Sequence, residues 1–154
     1  MAFRFRLQPL LDFRISQEEE ARLRLAREIA QLERQRQALE KLGERRLQAI
    51  AAFEAAKGQA MSGARIALFF DAIAGLDAAS EFQRRTVAAQ EQVVEEARRG
   101  LAQARKARRI IERLRERDLA AWQAEERLRE QKEMDELVTL RFGRGESLLA
   151  GGGG

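Results

Sequence analysis

Apolar side chains return every seventh residue along most of this sequence. Leu25, Leu32 and Leu39 open one row, which continues through Arg46 to Phe53, with Ile29 and Ile50 beside it. A later stretch repeats the device, with Ile66, Ile73, Val87, Val94 and Leu101 on one row and Phe69, Leu76, Ala97, Ala104 and Ile111 on another. Seven residues make two turns of a slightly overwound helix, so such rows form a narrow seam by which helices coil about one another. Arg36, Gly43 and Arg46 interrupt the first seam without ending it. The expected fold class is all-α.

The single proline, Pro9, marks where the first helix begins. Proline suits the first helical position, where its missing N–H has no partner to lose, and it pushes Gln8 toward extended geometry. The alternating "FRFRLQ" of residues 3–8 therefore reads as an extended lead-in, with no second strand to pair with. Asp12 and the run Glu18, Glu19, Glu20 lie toward the positive end of the helix dipole. The first helix should span about 9–56. "KGQAMSGAR", residues 57–65, holds Gly58, Ser62 and Gly63 and is the one plausible reversal. A second helix should span about 66–140. Its spacing slips after Ile111, where Leu114, Ala121 and Leu128 take over in the manner of a stutter. Glu18–Arg22, Glu20–Arg24 and Glu95–Arg99 are favourable pairs one turn apart. Residues 1–142 read as one coiled-coil domain, and the tail "RGESLLAGGGG" with Gly143, residues 143–154, as disordered.

One narrow seam buries little, so each helix needs the other. Reversal near residue 60 makes a long antiparallel two-helix hairpin, with Phe53 near Phe69 and Phe70, Leu39 near Phe82, Leu25 near Val94, and Gly43 close to Gly75 in a tight approach. Pro9 then falls near Ile111. Residues from about 112 to 140 are left without a partner, an overhang of roughly 40 Å at about 1.5 Å per residue. Trp122, Leu128, Met134, Leu137 and Leu140 sit on it.

Composition closes off several kinds of chemistry. The 154 residues include no cysteine, histidine or tyrosine, which excludes disulfides and thiolate metal sites and makes a reducing cytosol the expected compartment. Charged residues are 35% of the chain, above the roughly 25% usual for globular domains. No apolar run approaches the roughly 18 residues of a membrane span, and charges interrupt every apolar stretch near the N-terminus, so no secretory signal is expected. Acid pairs such as Glu125 with Glu126, or Glu133 with Asp135, point in different directions on a helix and lack an enclosing pocket. No glycine-rich phosphate loop is present. The expectation is a protein that is not an enzyme, with no catalytic residue, metal or cofactor.

Three surfaces remain. The run 98–117 carries Arg98, Arg99, Arg105, Lys106, Arg108, Arg109, Arg113 and Arg115. With a net charge of +4 it suits a solvated exterior, an acidic protein or lipid surface, or nucleic acid; its charges ring the helix and no aromatic is interleaved, so nucleic acid is not expected. "FFDAIAGL", residues 69–76, places Phe69, Ile73 and Leu76 on the seam and Phe70 off it, so core and partner patch both stand. "WQAEERLREQKEMDELVTLRF", residues 122–142, is either a fraying overhang or a docking tip. The tip would use Leu128, Met134, Leu137 and Leu140 as apolar contacts and Arg127, Arg129, Lys132, Glu133, Asp135 and Glu136 as charged ones.

Taken in order, "FRFRLQPLLDFR", "MSGARIALFFDAIAGL" and "EQKEMDELV" resemble the FliJ family of the bacterial flagellar export apparatus, across most of residues 3–140. The late segment, with Glu130, Lys132, Asp135 and Glu136, carries the most specific likeness. The resemblance implies a stalk similar to the coiled coil of the rotary-ATPase gamma subunit. Its open end would sit in the pore of the hexameric export ATPase and promote ring assembly, and further contacts would be to the export-gate membrane protein (FlhA-like) and to export chaperones. The protein would then be cytoplasmic and peripheral to the inner face of the cell membrane at the flagellar base. Trp122, Leu128, Glu130, Lys132, Met134, Asp135, Glu136 and Leu137 would face the ATPase. Leu76 and Ala79, with Phe69, Phe70 and Ile73 around them, would face the gate. Relatives often carry aromatic residues on the first helix where this chain has no tyrosine. The equivalent stalk of a virulence injectisome shares this architecture, and a basic scaffold or nucleic-acid-binding coiled coil is the reading from a different class.

Overall fold

A computed structural model describes residues 2–150, with side chains described for 2–145. It contains two helices, α1 (Gln8–Ala56) and α2 (Gly63–Ala150), and among the described residues no strand. The second helix is the longer, at 88 residues against 49. The pair forms the expected antiparallel coiled-coil hairpin. α2 continues past the expected end near 140, so residues 143–150 of the proposed tail lie within its bounds; residues 151–154 lie outside the described residues.

The reversal is shorter than 57–65. The Lys57 N–H still bonds to Phe53 O at 2.9 Å, and the Gln59 N–H to Ala56 O at 3.1 Å. Ser62 then caps α2, its Oγ accepting from the Arg65 N–H at 3.3 Å while its carbonyl receives the Arg65 and Ile66 N–H groups. A serine in that role satisfies donors that the first helical turn leaves orphaned. Gly63 is already helical for this reason, and the reversal narrows to residues 57–62.

The chain divides into two units, one of residues 16–106 and one of residues 1–15 with 107–154. In the first, numbers rise along α1 as they fall along α2. Arg36 pairs with Glu91 at 3.3 Å and Arg46 with Asp77 at 2.5 Å. The Phe53 ring lies 5.6 Å from that of Phe69 and 5.5 Å from that of Phe70. Leu32, Val87 and Val94 are buried together, with Leu25 and Leu39 packed on them. Ala97 and Leu101 are also buried. Each large apolar group so covered contributes about 2 kcal/mol.

The gaps in the α2 rows are polar and inward. Ser80 is buried on the row of Ile73 and Val87. Half-buried Gln83 donates from Nε2 to Gln35 O at 2.9 Å, and half-buried Gln90 donates to Glu28 O at 3.1 Å. An amide that reaches the backbone of the facing helix can be buried without leaving its donor orphaned.

Two expected contacts are not made. A Cβ added at Gly43 or at Gly75 would meet nothing within 4 Å, so these glycines do not mediate a tight approach. Phe82 is 70% exposed rather than set against Leu39, because its neighbour Gln83 takes the inward position. Of the expected pairs one turn apart, Glu18–Arg22 forms at 3.5 Å. Glu95 instead meets Arg98 at 3.8 Å, and Glu20–Arg24 is not formed.

In the second unit, the lead-in does more than approach the helix. Phe5 and Leu11 are buried, and Phe3 and Leu7 half-buried. Arg4 and Arg6, between them, are exposed. Gln8, expected to be extended before Pro9, is instead the first residue of α1, and its N–H closes a turn onto Phe5 O at 3.1 Å. Across from this turn, Arg115 donates from Nε to Gln8 Oε1 at 3.3 Å and places its guanidinium 5.8 Å from the centre of the Phe3 ring. Phe3 and Trp122 lie 6.0 Å apart in a tilted arrangement. Covered residues of α2 here include Arg108, Arg115 and Trp122, again seven apart, while Leu114, Ala121 and Leu128 are exposed. One row thus keeps its seven-residue step, on long arginine stems where apolar residues were sought. The other slips after Ile111: Asp118 and Glu125 are exposed and Leu119 and Glu126 half-buried, so the stutter is present, but not on the row of Leu114, Ala121 and Leu128.

Candidate functional site

The expected overhang begins later than 112. Glu112, Arg115, Leu119, Trp122 and Glu126 are all half-buried, and the lead-in accounts for Arg115 and Trp122. From residue 127 to residue 144 every side chain is exposed. Of the eight residues expected to face an ATPase, Trp122 is therefore set apart from the other seven by its contact with Phe3.

Leu128 and Met134 are each 64% exposed and Leu137 57%. Val138, Leu140 and Phe142 join them. Sequence reasoning had not included Val138 or Phe142 among the contacts, although apolar residues at those positions with no row to belong to were a signal. Met134, Leu137 and Val138 follow the spacing of one helical face, while Leu128 and Phe142 lie two heptads apart on another and Leu140 on a third. The apolar groups thus cover most of the circumference. Between them, Glu130, Lys132, Asp135 and Glu136 are exposed and make no ion pair among the described residues. Asp135 offers only its carbonyl, which accepts from Thr139 Oγ1 at 2.8 Å. Arg129 reaches back to Glu126 at 3.4 Å.

At the reversal, Phe69, Ile73 and Leu76 are half-buried on the inward rows, whereas Phe70 is 58% exposed and Ala79 is exposed. Leu68 is also exposed, off the seam rows, but two residues from Phe70 it lies on a different side of α2. The structure thus separates the five candidates into three seam residues and two surface residues.

Within the basic run, Arg105 and Arg115 reach across to α1, while Arg98 and Arg108 pair within α2. Arg105 pairs with Glu18 at 3.5 Å, Arg98 with Glu95 and Arg108 with Glu112. Among the described residues no three His, Cys, Asp or Glu side chains are grouped to hold a metal, and no helix is long and apolar enough to cross a membrane.

Two long antiparallel helices with an inward heptad seam and an uncovered end to the second define a coiled-coil hairpin protein. Over residues 3–147 the sequence matches the family of the flagellar FliJ protein, and the chain belongs to that family. Among solved structures it is similar to CT670 of Chlamydia trachomatis, described as a YscO homolog. The match has a TM-score of 0.58 and 19% identity, over 95% of this chain and 99% of that one. At that identity the likeness concerns the fold. Comparison with curated proteins gave no match.

Proposed function

We propose that this chain is a non-enzymatic stalk of the flagellar type III protein export apparatus, whose uncovered α2 end, residues 127–142, docks in the pore of the export ATPase ring. The observation that carries the reading is the spread of Leu128, Met134, Leu137, Val138, Leu140 and Phe142 around a helix with no partner. A helix facing one surface needs one apolar stripe; apolar groups on most sides suit a helix surrounded by its partner. The unpaired Glu130, Lys132, Asp135 and Glu136 supply charge complementarity within the same stretch. Family membership supports the setting.

An asymmetric rod within a ring biases the ring's subunits only through contacts that differ between their states. The unequal faces of residues 127–142 provide such contacts, and through them the stalk promotes ring assembly. The segment of α2 from Phe69 to Ala79 near the reversal, with Phe70 and Ala79 exposed and Phe69, Ile73 and Leu76 half-buried, is the region that meets the export-gate membrane protein. Export chaperones are further partners. The protein works in the cytoplasm, against the inner face of the membrane at the flagellar base.

Capture of the export ATPase by the full chain, compared with a chain ending at residue 126, tests the docking. Loss of capture on truncation is expected, and equal capture would refute it. The equivalent stalk of an injectisome is the second reading, and exchange of the flagellar ATPase for an injectisome ATPase in the same assay separates the two. A nucleic-acid role predicts binding that falls steeply with salt and ignores the ATPase.

A further inference from the structure

Residues 2–7 are an irregular segment held on α2 by few contacts. Phe5 is buried, Phe3 lies 6.0 Å from Trp122, and Arg115 touches both the Phe3 ring and Gln8. Ordering six backbone residues costs more free energy than one buried and one half-buried phenylalanine ring return, so attachment leans on the few further contacts and is weakly held. Exposed Arg4 and Arg6 alternate with the two rings, make no ion pair among the described residues, and favour water over the helix surface. Beneath the segment lies Trp122, the chain's one tryptophan, with half-buried Leu119 less than one turn before it. The covered stretch runs directly into the exposed one at residue 127.

We infer that residues 2–7 form a releasable strap, with Trp122 as its latch, and that the strap withholds Trp122 from the docking helix. Closed, the exposed part of α2 starts at residue 127. Open, Trp122 joins Leu128 and the groups beyond it, adding more than a turn to the docking surface. The withholding part rests on the reading that residues 127–142 dock in the export ATPase; the strap itself does not.

The full chain and its Phe3→Ala variant, with Phe5→Ala as a second variant, are to be compared by acrylamide quenching of Trp122 fluorescence and by affinity for the export ATPase. Far-UV circular dichroism confirms that each remains helical. Quenching is expected to rise in the variants. If the strap is open in roughly one molecule in ten, affinity for the ATPase should rise by up to about tenfold on its removal. Unchanged quenching in both variants would overturn the strap. Raised quenching with unchanged or weaker ATPase affinity would overturn the withholding and leave the docking reading intact. Raised quenching with no ATPase binding by any of the proteins, the unaltered chain included, would uphold the strap and remove the docking reading together with the withholding.

Discussion

Glu18 and Arg105 meet across the hairpin at 3.5 Å, and the carboxylate is almost wholly covered, its side chain 8% exposed against 49% for the guanidinium. Glu18 stands in the α1 row between Leu11 and Leu25, at a position where the heptad step calls for an apolar residue. Arg22, one turn on, also reaches it at 3.5 Å. The half-exposed arginine is screened by solvent, which limits what the pair adds to stability. An ionic group in a seam can still fix which residues face each other, because any slipped register strands it.

Replacing Glu18 therefore separates stability from register. Glu18→Leu should leave the hairpin as stable or stabilise it by up to about 2 kcal/mol, since a packed apolar side chain avoids the desolvation of a buried charge. Glu18→Ala, which leaves a gap and takes from Arg105 its carboxylate partner while Arg22 keeps Glu19, should destabilise by about 1–2 kcal/mol. Urea unfolding of the two variants gives both values, and a Leu variant less stable than the Ala variant would contradict the assignment of Glu18 to the seam.

Gly43 and Gly75 are helical, and open space surrounds the position of a Cβ at each. With no contact to protect, glycine there carries only its cost in backbone entropy. Gly43→Ala and Gly75→Ala should each stabilise by about 0.5–1 kcal/mol. Thermal melts should show a rise for both; a fall would mean that the helices do approach closely at these positions.

Leu32 and Phe82 offer the opposite contrast. Leu32 lies in the buried cluster with Val87 and Val94, so Leu32→Ala should cost about 2–3 kcal/mol. Phe82, larger but exposed, should tolerate Phe82→Ser within about 0.5 kcal/mol. Denaturant midpoints of the two variants test the inward position of Gln83, and a large cost at Phe82 would reverse it.

Much of this was legible in the residues because a heptad step leaves so few options. Leu25, Leu32, Leu39, Val87 and Val94 declare a seam, Pro9 a start and Ser62 with its flanking glycines a reversal; only one topology covers both seams. What escaped were polar and basic residues doing an apolar residue's work. Ser80, Gln83, Gln90, Arg108 and Arg115 continue the rows, and hydropathy alone passes over them because their burial depends on partners elsewhere in the chain. The same blindness placed the overhang too early. "FRFRLQ" reads as a lead-in until Phe3 meets Trp122 and Gln8 meets Arg115, and those contacts, distant in sequence, move the uncovered end from 112 to 127. Seam and surface residues around Phe69 and Phe70 differ by one position, which the rows separate correctly; what docks there is not written in either.

The central claim is that the uncovered end of α2 grips the export ATPase through its apolar groups. Its most direct test is ATPase stimulation by the full chain carrying Leu128→Ala, Met134→Ala and Leu137→Ala together. These side chains touch no partner in the hairpin, so far-UV helicity should be preserved. At about 1 kcal/mol for each desolvated contact, binding should weaken by roughly 100-fold and stimulation should be lost. Stimulation equal to that of the unaltered chain, at the same concentrations and helicity, would contradict the account.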